Sequence, residues 1–273
     1  MQEPVNVNAD IVLACKEEKY YQGEIMVQHN SLVRIISGEM KVVMADRSYV
    51  FGTGDTILFP RNQLATIIKY PKDGLMYKSV LMYLTPERLK DYYTRNDFVH
   101  LPIQNPTIIT FDKHPLFESF FASLLPYFDM ENHLPQNIIA VKVEEAITIL
   151  RNIDPGIDAL LSNFEDPGKI NLAEFMEKHY MFNMTMDKFG YLTGRSITTF
   201  KRDFKKVFNT TPQKWLTQKR LELAHYQINQ KHRKPSEVYF EVGFENLSHF
   251  SFAFKKYFGY APSERVSIEN PIT

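Results

Sequence analysis

The sequence predicts a multidomain α+β chain. Its N-terminal half reads as a β-sandwich or small barrel with helices attached, and its C-terminal half as an all-α domain of two helix-turn-helix units. Three observations predict this. Short runs rich in β-branched and aromatic residues, broken by turn signals, fill residues 10–84. Helical periodicity takes over after them. Finally, five residues are spelled nearly twice, "FKKVF" at Phe204–Phe208 and "FKKYF" at Phe254–Phe258, inside a longer repeat that also pairs Phe200 with Phe250 and Pro212 with Pro262.

The β segments come first. "SLVRIIS", "EMKVVMA", "SYVF", "DTILF", "LATIIKY" and "LMYKSVLMYL" are separated by "SGE", "ADR", "FGTGD", "PRNQ" and "PKDG", and so many short strands in so little chain suggest a sandwich or barrel. "TPERLKDYYTR" then reads as a helix with Thr85 as N-cap and Pro86 in the first turn. "PLFESFFASLLPYF" places Leu116, Phe117, Phe120, Phe121 and Leu124 at helical spacing, and "QNIIAVKVEEAITILRN" places Ile139, Val143, Ala146, Ile147 and Leu150 on one side. That face is broad enough to be core or a dimer seam. "RNIDPGID" and "NFEDPGK" are turn-rich, which puts a domain boundary near Asp166–Lys169.

From Ile170 onward the chain reads as helix. "NLAEFMEKHY" is followed by a short helix capped by Thr185, with Gly194 in the turn after it, and then by "SITTFKRDFKKVF" capped by Ser196. A long helix starts at Thr211-Pro212. "KPSEVYFEVGF" ends at Gly243, and "NLSHFSFAFKKYF" closes the set. A short helix, a glycine turn and a second helix, used twice, outline two helix-turn-helix units.

Composition narrows the function. The one cysteine, Cys15, rules out an intramolecular disulfide framework and fits a reducing compartment, with a packed role for Cys15 itself. No leader pattern or membrane-length apolar run is visible, so a cytoplasmic protein with no membrane partner is expected. Formal net charge is zero, but residues 166–273 carry 17 Lys+Arg against 11 Asp+Glu, and the remainder carries the opposite excess. Such asymmetry suggests that the C-terminal half meets a polyanion.

The repeated helix has the matching chemistry. Around its axis Ile197, Phe200, Phe204, Val207 and Phe208 form an apolar arc, opposite Thr198, Thr199, Arg202, Lys205 and Lys206, with Lys201 on the flank. Arg can donate two hydrogen bonds to guanine, Thr offers a methyl and a hydroxyl, and Lys neutralises phosphate. The second copy offers Ser248, Ser251, Phe252, Lys255 and Lys256, with Phe252 where the first has Arg202.

These residues resemble the AraC/XylS family of bacterial transcription regulators over Leu172 to Pro262. "VGFENLSHFSFAFKKYFGYAP" is similar to the family signature through Gly243, Phe244, Ser248, Phe250, Phe254, Lys255, Phe258, Gly259 and Pro262. The first unit matches at Gly194, Ser196, Phe200, Arg202, Phe204, Lys205 and Lys206, and the connecting helix at Arg220 and Ala224. The resemblance implies two recognition helices presented to successive major-groove segments. It would place base contacts on Thr198, Lys201 and Arg202, and on Leu247, Ser248, Ser251 and Phe252, with Lys205, Lys206, Lys255 and Lys256 running near phosphate. Three positions depart from the family pattern: Phe252 where Arg is frequent, Tyr239 where a small Ala is usual, and Val266 where a basic residue often follows the last proline.

The N-terminal half more weakly resembles a cupin-like jelly-roll effector domain, through Gly38-Glu39, Gly54-Asp55 and Pro60. A metal-dependent cupin enzyme needs a His-x-His pair with a following Glu and a later His, whereas His29, His100, His114 and His133 are scattered. The expectation is therefore a regulator without catalytic residues, metal or cofactor. Residues 1–112 would form a cupin-like sensory barrel, 113–165 a helical dimerisation or linker segment, and 166–273 the DNA-binding domain. The expected partners are double-stranded DNA, a second copy of the chain as a homodimer, and a small-molecule or protein effector whose binding residues are unknown. An enzyme with an accessory helical tail is the rival class.

Overall fold

The computed structural model describes residues 5–8, 10–16, 21–98, 107–129 and 135–264. His100, His133 and Val266 lie outside the described residues, as does the side chain of Cys15. The chain divides into two compact units, residues 1–165 and 166–273.

The first unit opens with β1 (Val5–Asn8), β2 (Ile11–Lys16), β3 (Tyr21–Met26), β4 (Asn30–Ser37), β5 (Glu39–Val43), β6 (Ser48–Phe51), β7 (Thr56–Phe59), β8 (Leu64–Tyr70) and β9 (Tyr77–Leu84). Then come α1 (Pro86–Arg95), β10 (Ile109–Phe111), α2 (Pro115–Leu124), α3 (Gln136–Ile153) and the short α4 (Asp158–Leu161). The strands form two antiparallel sheets, β1-β2-β9-β4-β7-β10 and β3-β8-β5-β6. β1, β2, β3 and β10 are not among the strand segments singled out in the sequence. β3, "YQGEIM", is half-buried throughout and carries a polar residue and a glycine at its centre, which dilutes the apolar pattern.

Two cores result. Val33, Ile35, Met40, Val42, Ile57 and Ile67 fill the space between the sheets. On the outer face of the larger sheet, Leu32, Leu58, Val80 and Met82 pack against Phe117, Phe120, Leu124, Val143 and Ile147. The larger sheet is thus covered on both sides, which explains why β4 reads as a nearly unbroken apolar run. Arg34 sits in that run with its guanidinium on Thr56 Oγ1 (2.9 Å) and Glu118 (2.5 Å), 5.9 Å from the Phe121 ring centre. Gly38 takes φ +79° between β4 and β5, where a Cβ would come within 2.8 Å of the Tyr77 backbone.

The apolar faces of α2 and α3 are therefore core. Leu124 is wholly buried and Ile147 is 1% exposed, both covered by the chain's own sheet, so neither lies in a dimer seam. Two polar clusters pin the helices. Asp158 pairs with Arg151 (2.8 Å) and accepts from Tyr93 (2.7 Å), while Arg95 bridges Asp91 and Glu144. Burial first, then the Asp158 carboxylate, hold the Tyr93 hydroxyl well above the usual phenol range.

The second unit is helical: α5 (Leu172–His179), α6 (Met186–Leu192), α7 (Ile197–Phe208), α8 (Pro212–Asn229), α9 (Pro235–Glu241) and α10 (Leu247–Phe258). Phe200 and Phe204 are fully buried, and Trp215 of α8 packs on Phe204 and Phe208 with ring centres 5.7 and 4.7 Å away. The second half repeats the scheme, with Phe250 and Phe254 buried against Leu221, Ala224 and Val238. Tyr239 is accommodated at the margin of this core.

Because Ile147 fills a core position, Ile147→Ala should destabilise the first unit by about 2–5 kcal/mol through lost burial and a residual cavity. Denaturant unfolding followed by circular dichroism measures it. An unchanged midpoint with altered sedimentation would instead place Ile147 in an intermolecular seam.

Candidate nucleic-acid interface

α7 and α10 are built alike. Ser196 accepts a hydrogen bond from the Thr199 amide (3.3 Å) and Asn246 from the His249 amide (2.7 Å), each satisfying an orphan donor at a helix start. Each helix runs 12 residues and ends on a left-handed residue, Asn209 at φ +53° and Gly259 at φ +88°. The Phe-x-x-x-Phe stripe turns inward in both, so the opposite face is presented outward.

On α7 that face holds Thr198, Lys201, Arg202, Lys205 and Lys206, all exposed. Lys201, Lys205 and Lys206 make no ion pair among the described residues. Arg202 is held more closely: its Nε lies 3.5 Å from Asp203, which in turn accepts from Arg195 Nε at 3.1 Å. The Arg195 hydrogen bond, with Arg202 adding to it, keeps the Asp203 carboxyl below its ordinary range. Arg195 also donates to the carbonyls of Ile170 and Thr193, so a fixed support stands behind Arg202. Thr199 is half-buried, its hydroxyl 3.1 Å from Ser196 Oγ.

On α10 the outward residues are Leu247, Ser248, Phe252, Lys255 and Lys256, all exposed, with Ser251 half-buried beside them. Phe252 is 68% exposed. It does not pack on a neighbouring helix, which is the ordinary fate of such a side chain. One position departs from the expected arc. Val207 is 52% exposed, because Trp215 covers the last turn of α7 on the Phe204–Phe208 side and nothing covers the other.

The turns differ in one respect. The N-caps Ser196 and Asn246 are 50 positions apart, but the turn glycines Gly194 and Gly243 are 49 apart, so the second turn is one residue longer. Both glycines have positive φ, +66° and +91°. Gly243 is also crowded: a Cβ there would lie 2.6 Å from the Met181 carbonyl and 2.8 Å from Arg220 Nε.

Arg220 explains the crowding. From α8 its guanidinium donates to the carbonyls of Tyr180 (2.8 Å) and Phe182 (2.8 Å) in the first helix-turn-helix unit and of Gly243 (2.9 Å) in the second. Asn183 reaches across the same seam to Glu245 at 2.9 Å. In the sequence Arg220 is only a family-like position on the connecting helix. The signal was present: Leu216, Arg220, Ala224 and Ile228 recur every fourth residue, and the other three are buried.

Known proteins give the same picture. Residues 192–266 match the family described as "Helix-turn-helix domain", and residues 30–156 match "ExsA N-terminal regulatory domain". Together these matches support an AraC-family regulator. It is a DNA-binding transcription regulator with an N-terminal regulatory domain. The HTH-type transcriptional regulator ExsA of Pseudomonas aeruginosa is 24% identical over 84% of this chain and 83% of its own length. The virulence regulon transcriptional activator VirF of Yersinia enterocolitica is 24% identical over 58% of each. Among solved structures, the apo form of a ToxT variant from Vibrio cholerae covers 94% of this chain and 96% of that one, at 12% identity and a TM-score of 0.46. The match to the regulatory domain runs from β4 through α3, and so spans the larger sheet's strands β4, β7, β9 and β10 together with the helices that share its core. Among the described residues, no helix is long and apolar enough to cross a membrane.

Arg220→Lys keeps the charge but cannot hold three carbonyls in one plane. It should destabilise the second unit by about 1–3 kcal/mol as those carbonyls lose their donors. Calorimetric melting checks this, and affinity for DNA carrying both half-sites should fall more than affinity for a single half-site.

Proposed function

We propose that the protein binds a specific duplex DNA site through two unequal helices, α7 reading bases and α10 mainly anchoring. The observation that carries the proposal is the contrast on matched outward faces. α7 presents Arg202, braced by Asp203, where α10 presents Phe252. Arg can make a bidentate pair with guanine, worth about 1–3 kcal/mol of discrimination. Phe252 cannot donate a hydrogen bond, so α10 reads through thymine methyl contact and DNA shape. Thr198 and Lys201 flank Arg202 on the reading side, while Leu247, Ser248 and Ser251 form the corresponding part of α10. Lys205, Lys206, Lys255 and Lys256 lie one turn further on and meet phosphate, which positions the protein without choosing sequence.

The regulatory unit receives the controlling signal, and a small molecule is favoured over a protein effector because a partly open cavity of about 500 Å³ lies between the two sheets. The homodimer expected from the sequence would need a surface other than the α2–α3 apolar faces, since those are core. Such a regulator acts in the cytoplasm.

Binding-site selection with three variants tests the assignment. Arg202→Ala should relax base preference at one position, Lys205→Ala should weaken all sequences about equally, and Phe252→Ala should leave guanine preferences untouched. Unchanged preference in Arg202→Ala would overturn the reading role of α7.

Charge makes a second, independent prediction. The log of DNA affinity should fall linearly with log salt, at a slope of about −0.9 per phosphate neutralised, and Lys205→Ala should flatten that slope by roughly one unit. Fluorescence anisotropy over a salt series measures it. Salt-independent binding would remove phosphate neutralisation from the account.

A further inference from the structure

One carboxylate sits where a surface for a polyanion asks for none. Asp203 lies on α7 between Arg202 and the buried Phe204, half-buried at the margin of the outward face. An acidic side chain there weakens the pull of that face on phosphate, because it cancels part of the helix's positive excess. It also stays ionised, since the Arg195 hydrogen bond, with the charge of Arg202 adding to it, keeps the carboxyl below its ordinary range.

The two oxygens of Asp203 do different things. Oδ2 accepts from Arg195 Nε at 3.1 Å, and Arg195 is fixed in turn by the carbonyls of Ile170 and Thr193. Oδ1 lies 3.5 Å from Arg202 Nε, an ion pair longer than a good hydrogen bond. An exposed pair of this kind is ordinarily weak, because two flexible side chains must be ordered at once. Here one partner is already held, so only Arg202 remains to be ordered. Contact through Nε leaves both Nη groups of Arg202 to donate, and a pair of parallel donors is what guanine O6 and N7 accept.

The second helix-turn-helix unit lacks all three members together. With the caps Ser196 and Asn246 aligned, 50 positions apart, Arg195 corresponds to Glu245, Arg202 to Phe252 and Asp203 to Ala253. Glu245 accepts instead from Asn183 at 2.9 Å, and Ala253 packs on the core of its own half. A carboxylate that only fastened its helix to the preceding turn would serve α10 equally well, since both helices are built to one plan. It is present where there is an outward arginine to orient.

We infer that Asp203 is a positioning residue for sequence recognition: backed by Arg195, it holds Arg202 with both Nη groups free for a guanine edge and keeps that side chain from swinging to phosphate. The inference rests on α7 as the base-reading helix, and names what sets its selectivity. The carboxylate lowers attraction to every duplex and widens the difference between guanine and the other bases.

The test uses the full chain and the duplex that binding-site selection returns for it. Fluorescence anisotropy gives affinities for that duplex, for the same duplex carrying 7-deazaguanine at the guanine whose preference Arg202→Ala relaxes, and for a scrambled duplex. Because 7-deazaguanine lacks the N7 acceptor, the first two affinities give a selectivity ratio. In the wild type it should be about tenfold, and Arg202→Ala should bring it to about one. Asp203→Ala should lower the ratio to about threefold or less, while affinity for the scrambled duplex rises about twofold or more as a negative charge leaves the face. An Asp203 with a structural task alone would lower both affinities and leave the ratio as it was. Circular dichroism melts confirm folding, and if Asp203→Ala is unfolded, Asp203→Asn, which keeps an acceptor for Arg195, decides on the same criteria. A ratio unchanged in the Asp203 variant but lost in Arg202→Ala would overturn this inference alone, as would a scrambled-duplex affinity that does not rise. The absence of any such guanine, or a ratio that survives Arg202→Ala, would overturn the reading role of α7 and this inference with it.

Discussion

The second unit depends on one guanidinium. Arg220 gathers carbonyls from Tyr180, Phe182 and Gly243, joining the end of the first helix-turn-helix unit's opening helix to the turn of the second. Main-chain carbonyls at helix ends and turns need donors. A single planar group serving three of them also fixes the distance between the segments that carry them. That bond set ties together the segments that carry α7 and α10. Gly243 follows from it too, because any Cβ at that position would collide with the arginine.

The first unit solves a different problem by similar means. Its larger sheet is covered on both faces, so polar side chains on it must find partners inside. Arg34 does so through Thr56, Glu118 and the Phe121 ring, tying the sheet to α2. On the smaller sheet, Lys69 lies near the Tyr77 and Tyr21 rings. Cations at inward positions thus recur at the places where one layer must be held against another or where space is left open.

Much of this was legible in the sequence. The caps Thr85, Thr185, Ser196 and Thr211 mark helix starts because each is a short hydroxyl ahead of an apolar-periodic run, and all four act as caps. The duplicated Phe stripe marks both helices, α7 and α10, and most of their outward residues, since a period of 3.6 fixes faces without tertiary information. What was not legible depends on which surface covers which. The α2 and α3 faces could equally serve as seam or core until the sheet is seen against them. Val207 lies on the apolar arc but past the edge of Trp215. β3 lacks a clean alternation because its central glycine and flanking polar residues interrupt it. The role of Arg220 is written in a four-residue spacing, yet periodicity says only that the position is inward, not that three carbonyls wait there.

The two 12-residue helices lie between equivalent boundaries, a side-chain cap before and a left-handed residue after, with their buried phenylalanines in the same register. The extra residue of the second unit lies outside those boundaries, in the turn. The outward residues proposed here to meet DNA can therefore vary, or be exchanged between units, as a cassette from cap to terminator without disturbing the turn or the arginine behind it. A chain built this way can acquire a new operator by rewriting one cassette while the other keeps hold of the duplex.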